Sequence, residues 1–222
     1  MSRPVALMVA CAAALMAVWP AGCSDPSAEL NSPDSDVCRE ALRECAKSDA
    51  DGVVDRVAEV VAHDDTMVAV EAVRTLGSMR TARAVEILGE VASGARDKRN
   101  AIRQEAVIQL GRQQEPEALE VLRKVVKVDP DPRVRAAAIT SLRWRQSLKD
   151  VPLLVEVAET ETDRVVQARA VRAVEQLVSL RFGYDPASSA EERQKAIGRM
   201  RRKALTAARE VYEWRERRRQ RQ

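Results

Sequence analysis

The chain has 222 residues, 37 Lys+Arg against 34 Asp+Glu for a net charge of +3, 45% apolar residues, 3% aromatic residues and one histidine. Eight Gly and nine Pro scattered among abundant Ala, Val, Leu, Arg and Glu read as an all-α chain and exclude collagen, a β-sandwich and disorder. One His and no Gly-rich phosphate loop exclude most metal and nucleotide chemistry. The charge is unevenly placed: residues 23–52 carry eight acids and three bases, residues 53–187 carry 21 of each, and residues 188–222 carry twelve bases and five acids. A neutral body thus sits between an acidic leader and a basic tail.

At the N-terminus Arg3 precedes an uninterrupted apolar run from Val5 to Trp19. A membrane-spanning helix needs roughly 20 such residues, so the run has the length of a signal-peptide apolar region instead. It ends at Pro20-Ala21-Gly22-Cys23, which resembles the lipobox of bacterial lipoproteins, with Pro20 where the family usually has Leu. The resemblance implies cleavage before Cys23, diacylglyceryl on its thiol and acylation, palmitate included, of the new amino terminus. Ordinary signal-peptidase cleavage nearby and an uncleaved anchor are the alternatives. By analogy with Gram-negative members, Ser24 lacks the Asp that retains lipoproteins in the inner membrane, which favours the outer one. Residues 1–22 are therefore expected to be a signal peptide and residues 23–36, rich in Ser and Pro, a flexible tether.

If Cys11 leaves with the signal and Cys23 carries lipid, Cys38 and Cys45 remain. They share a helical face with Ala41 and Leu42, and seven helical residues separate their Cα atoms by about 10.5 Å, beyond the roughly 7 Å reach of a disulfide. Two buried thiols are expected, a disulfide being open only if the helix breaks between them.

The chain then repeats itself. Val68-x3-Ala72-Val73-x2-Leu76 recurs at Ile102, Val134 and Val166, and each copy is preceded by a second apolar pattern, at Val53, Ile87, Val121 and Leu153. Spacings of three, four and five are helical, so each unit is a helix pair. Gly77 and Gly111 are placed as helix C-terminal residues, Pro116 and Pro152 as first-turn residues, and Asp65, Asp131 and Asp163 as N-caps. A single pair cannot bury its apolar stripe, but stacked pairs can, which is an α-solenoid.

These residues resemble HEAT-like repeats, in particular the short repeats of phycobilisome lyases, through their Asp-x-x-Val-Arg-x-x-Ala signature. Asp131-Pro-Arg-Val-Arg-Ala-Ala-Ala carries it most fully; the second unit has Arg99 in place of the Asp. The expected domain is a HEAT-like α-solenoid over residues 37–182 with an N-terminal cap helix. Arg103 and Arg135 fall at the edge of the core face and are expected to brace adjacent repeats rather than contact a ligand. In HEAT-like solenoids the second helices usually line the concave surface. Opposite their core face, Arg74, Ile108, Arg112, Trp144 and Arg172 are the candidate partner-binding residues, with Trp144 and Arg112 as anchors.

From residue 183 onward a basic C-terminal helix is expected. Ser188-x-x-Glu191 and Ser189-x-x-Glu192 are capping-box candidates, and Ile197, Met200, Ala204, Ala207, Val211 and Trp214 form a seam that caps the last repeat or pairs in a coiled coil. Arg215, Arg217, Arg218, Arg219 and Arg221 are the candidate contacts to an anionic surface.

His63 stands alone in a turn and supports neither a metal site nor a nucleophile. The sequence reads as a membrane-tethered, non-catalytic scaffold of the bacterial envelope that binds a protein partner through its second helices. No cofactor, metal, nucleic acid or small-molecule substrate is expected. Electrostatic binding of anionic lipid or envelope polymer through the tail is the alternative, and a lyase-like activity, implied only by the repeat resemblance, a remote one.

Overall fold

The computed structural model describes residues 26–48 and 50–220, which places Cys23 and Arg221 outside the described residues. A 3-10 helix, Pro26–Asn31, leads into α1 (Ser35–Cys45), and eight helices follow as four antiparallel pairs. The first helices are α2 (Asp51–Val60), α4 (Ala82–Ala92), α6 (Pro116–Val128) and α8 (Val151–Thr160), and the second helices are α3 (Thr66–Met79), α5 (Asn100–Leu110), α7 (Pro132–Trp144) and α9 (Arg164–Val178). A further 3-10 turn, Leu148–Asp150, precedes α8, and α10 (Ala190–Arg219) closes the stack. Among the described residues there is no strand, and the fold is an all-α solenoid.

Local chemistry sets the helix starts. Asp65, Asp131 and Asp163 each accept a hydrogen bond from the backbone N–H two residues ahead, at 2.7–2.8 Å, and so satisfy donors that the first turn leaves orphaned. Pro116 opens α6 and Pro152 stands in the first turn of α8, where a missing N–H is harmless. Of the two capping-box candidates Ser189 and Glu192 form the box, with N–H···O distances of 3.0 and 3.2 Å.

All four motif positions of every second helix are completely buried, from Val68, Ala72, Val73 and Leu76 to Val166, Ala170, Val171 and Val174. Burying each larger aliphatic side chain contributes about 1.5–3 kcal/mol. Successive second helices touch along much more of their length than successive first helices do. The stack therefore curves toward the second-helix side.

Three expectations are corrected. First, Gly77 does not end its helix, whereas Gly111 is the C-cap of α5 as expected. Gly77 lies inside α3 and Gly111 keeps right-handed helical geometry at the end of α5. Their lack of a side chain is needed for close packing: a Cβ on Gly111 would lie 2.6 Å from the Ser141 Cβ, and one on Gly77 would strike Gln109. The left-handed positions are instead Arg80, Gln146 and Ser179, besides Gly94 and Gly183.

Second, residues 26–36 are not a tether. Leu30 is 2% exposed, Ser27 is buried, and Cys38 Sγ donates to the Leu30 carbonyl at 3.1 Å. The 3-10 helix packs on α1 and α2, and α1 packs on α3 as the second helix of a preceding unit would. α1 runs unbroken through Cys38 and Cys45, both fully buried, so the two are not bonded to each other. Burial pushes the Cys38 thiol above its ordinary value.

Third, the buried seam of α10 stops short. Ile197, Met200, Ala204 and Ala207 are buried against α8 and α9, but Val211 is only partly covered and Trp214 is 53% exposed. α10 runs antiparallel to α8, with Arg201 near Glu159 and Arg215 near Gln146, so its last turns pass beyond the first turn of α8 and have no core left to cover.

Candidate functional site

The second helices leave an open groove of about 450 Å³ over α5, α7 and α9. Ile108 and Gln104 line it from α5, Ala136, Thr140 and Trp144 from α7, and Val165 and Arg169 from α9. A second hollow of about 370 Å³ shares Thr140, Val165 and Arg169 with it and continues to Arg143, Arg164 and Arg172. Trp144 and Val165 are 52% and 60% exposed, which leaves two large apolar side chains facing solvent at one site.

The structure thus brings Ile108 and Trp144 together and sets Arg172 beside them, as the helical periodicity predicts. Arg112 and Arg74 lie outside the groove. Arg112 is exposed and contacts Gln109 Oε1 at 3.4 Å. Arg74 is ion-paired to Glu105 at 3.1 Å and lies 3.8 Å from Glu71. Arg169 was not legible as a site residue, because its register position holds Glu71 and Glu105 in the first two units and Ala137 in the third.

Arg103 and Arg135 are braces, as expected. Arg103 donates to Asp129 at 2.8 Å, and Arg135 holds both Glu161 oxygens at 2.9 Å, each reaching the turn of the next unit. At the same register α3 has Ala69, so Asp97 of the following turn lacks that arginine. Arg99 takes over, bonding Asp97 at 2.6 Å and reaching back to the Val61 carbonyl at 3.1 Å. Burial pushes the Asp97 carboxyl up, and the Arg99 guanidinium and backbone N–H more than offset this, leaving it below the ordinary value. Arg99 therefore stands where other units have the capping Asp.

The C-terminal arginines are largely engaged within the molecule. Arg215 donates to the Gln146 carbonyl at 3.2 Å, Arg217 lies 3.8 Å from Glu213, Arg219 pairs with Glu216 at 2.9 Å, and Arg218 sits 5.4 Å from the Trp214 ring centre. His63 Nδ1 accepts from the Asp65 N–H, a turn contact. Among the described residues no three His, Cys, Asp or Glu are grouped to hold a metal ion, and no helix is long and apolar enough to cross a membrane.

The profile for HEAT repeats matches residues 26–101 and 90–175, and the chain belongs to the HEAT-repeat family. A HEAT-repeat fold suggests a scaffold or protein-binding role. Among solved structures it is similar to the CpcE–CpcF complex of phycocyanin lyase from Nostoc sp. PCC7120, at 19% identity over 67% of this chain and 95% of that one, with a TM-score of 0.50. It is also similar to a designed armadillo-repeat protein, at 15% identity over 83% of this chain and all of that one, with a TM-score of 0.45. No curated protein matches the chain.

Proposed function

We propose that the protein is a non-catalytic scaffold, lipid-anchored in the bacterial envelope through Cys23, that holds a protein partner in the groove over α5, α7 and α9. The observation that carries this reading is Trp144, half exposed beside Ile108 and Val165 on the more closely packed face of the stack. Exposed aromatic and arginine side chains in a hollow are the usual anchors of protein interfaces. Only Ser24 and Asp25 stand between Cys23 and the 3-10 helix, so an acylated Cys23 holds the first unit of the solenoid against the membrane. The groove is favoured over the tail because Glu213 and Glu216 interleave the tail arginines and pair with Arg217 and Arg219.

Mass spectrometry of the native protein tests the anchor: an acylated Cys23 at the N-terminus is expected, and an intact Met1 or an unmodified downstream terminus overturns it. Trp144→Ala tests the groove. Stability is expected to change by no more than about 0.5 kcal/mol, as at other exposed positions, while partner binding weakens by about 2 kcal/mol or more. A large stability loss with unchanged binding per folded molecule overturns the assignment.

A further inference from the structure

We infer that the groove takes an acidic segment of a protein partner, seating an apolar side chain among Ile108, Trp144 and Val165 and turning carboxylates toward Arg133, Arg169 and Arg172. This rests on the groove reading above and adds the chemistry of the occupant. The first support is the placement of charge. α7 and α9 together carry six arginines against one acid, Glu175, whereas α8 carries Glu156 and Glu159 and no base. Along one register position of the second helices the residue changes from Glu71 and Glu105 through Ala137 to Arg169. The groove sits at the positive end of that series.

The second support is ion pairing. Several arginines of the stack are neutralised: Arg83 by Asp55 and Glu86, Arg99 by Asp97, Arg123 by Asp150, Arg135 by Glu161. Around the groove, among the described residues, Arg133, Arg143, Arg164, Arg169 and Arg172 have no carboxylate within ion-pair distance. Arg143 donates to neutral Gln176 at 2.6 Å and Arg169 to neutral Thr140 at 3.1 Å. Asp163 also lines the groove, but its Oδ1 is held by the Val165 and Val166 N–H groups. Guanidinium groups without carboxylates, set around an apolar hollow, match a ligand bearing both carboxylates and an apolar side chain. A nucleic-acid backbone would lay phosphates across Ala136, Ala137 and Val165, and a lipid surface is too flat to enter a hollow walled by three helices.

Fluorescence anisotropy with the purified full-length chain tests this. The probes are short labelled peptides with Leu and Phe flanked by Glu, the same peptides with Gln for Glu, and the same with Ser for Leu and Phe. A thymidine oligonucleotide and phosphatidylglycerol vesicles are run alongside. The Glu peptide is expected to bind, and to weaken about tenfold or more with Gln for Glu, with Ser for Leu and Phe, in the Arg169→Glu Arg172→Glu variant and in Trp144→Ala. Its advantage over the Gln peptide is expected to shrink with added salt. Equal binding of Glu and Gln peptides that still depends on Trp144 overturns the acidic occupant and leaves the groove. Tighter binding of the oligonucleotide or vesicles, lost in the arginine variant, overturns the protein occupant. Binding of no probe, or binding indifferent to all three substitutions, overturns both readings. Thermal melts of both variants establish that they are folded.

Discussion

Arg103 of α5 and Asp129, in the turn ahead of α7, form a 2.8 Å ion pair whose side chains are 7% and 4% exposed. The pair joins two consecutive units, yet it is incompletely satisfied, since Arg103 Nε is buried without a partner. Removing one member leaves the other charge stranded, which costs about 3–5 kcal/mol. Replacing both by neutral groups of similar volume removes the stranded charge. Arg103→Ala and Asp129→Ala are thus each expected to lose about 3–5 kcal/mol in urea denaturation, and Arg103→Met with Asp129→Asn, which keeps the oxygen that accepts from the Asp131 N–H, to recover most of it. A double variant as unstable as the singles would mean that the charge itself is needed.

A glycine in a helix normally gives way to alanine with a gain of up to about 1 kcal/mol. At Gly111 the opposite is expected, because the new Cβ falls 2.6 Å from the Ser141 Cβ on the neighbouring second helix. Gly111→Ala should destabilise by about 1–3 kcal/mol, and adding Ser141→Gly should restore part of the loss by vacating the space. Equilibrium denaturation of the single and double variants decides it. If Gly111→Ala is neutral or stabilising, the spacing between α5 and α7 is looser than described.

The four-unit register, the core positions and the strip holding Ile108 and Trp144 were legible in the sequence because a solenoid imposes the same burial at the same spacing in each unit. A further copy of the frame lies in α1. Asp34-x2-Val37-x3-Ala41-Leu42-x2-Cys45 follows the same frame, and Thr75 Oγ1 reaches the Leu42 carbonyl at 3.4 Å as Ser141 Oγ reaches the Val107 carbonyl at 3.1 Å. It is obscured in the sequence because a cysteine holds the leucine position. A second regularity is invisible to residue type. Ser32, His63, Asp97, Asp129 and Glu161, at one register position, all accept from the backbone N–H two residues on. The turn needs only an acceptor, so chemically different residues serve it.

Glu161 gives the pair with Arg135 a pH signature. Burial pushes its carboxyl up, but hydrogen bonds from Arg135 and the Asp163 N–H, with the Arg135 charge, hold it below the ordinary 4.5. A carboxyl lowered in the folded state stabilises the fold above its unfolded value, and that contribution is lost as pH falls through the folded value. In Arg135→Met only burial and the backbone contacts remain. The stability advantage of the parent over Arg135→Met is therefore expected to be greatest near neutral pH and to shrink as pH falls below 4.5. Urea denaturation of both proteins from neutral to acidic pH measures it, and a pH-independent difference would show that Arg135 acts through packing alone.

The first unit offers the sharpest contrast between a tether and a docked element. Were residues 26–36 only a flexible link, Leu30→Ala would change nothing measurable. In the structure Leu30 is 2% exposed and its carbonyl receives the Cys38 thiol, so truncation opens a cavity against α1, and large-to-small changes at such positions cost about 2–5 kcal/mol. A terminal unit of a solenoid contacts one neighbour only and can come undone by itself. The global loss is then bounded by what that unit contributes, and the effect concentrates locally. Amide hydrogen exchange of Leu30→Ala is expected to show faster exchange throughout α1 with α5, α7 and α9 unchanged. Leu42→Ala, in the same core, is expected to give the same pattern more strongly, because Leu42 is fully buried and its helix α1 packs against both the 3-10 segment and α3. Uniform acceleration across all units would mean that the first unit is not separately cooperative, and unchanged exchange in α1 would mean that Leu30 is not part of its core.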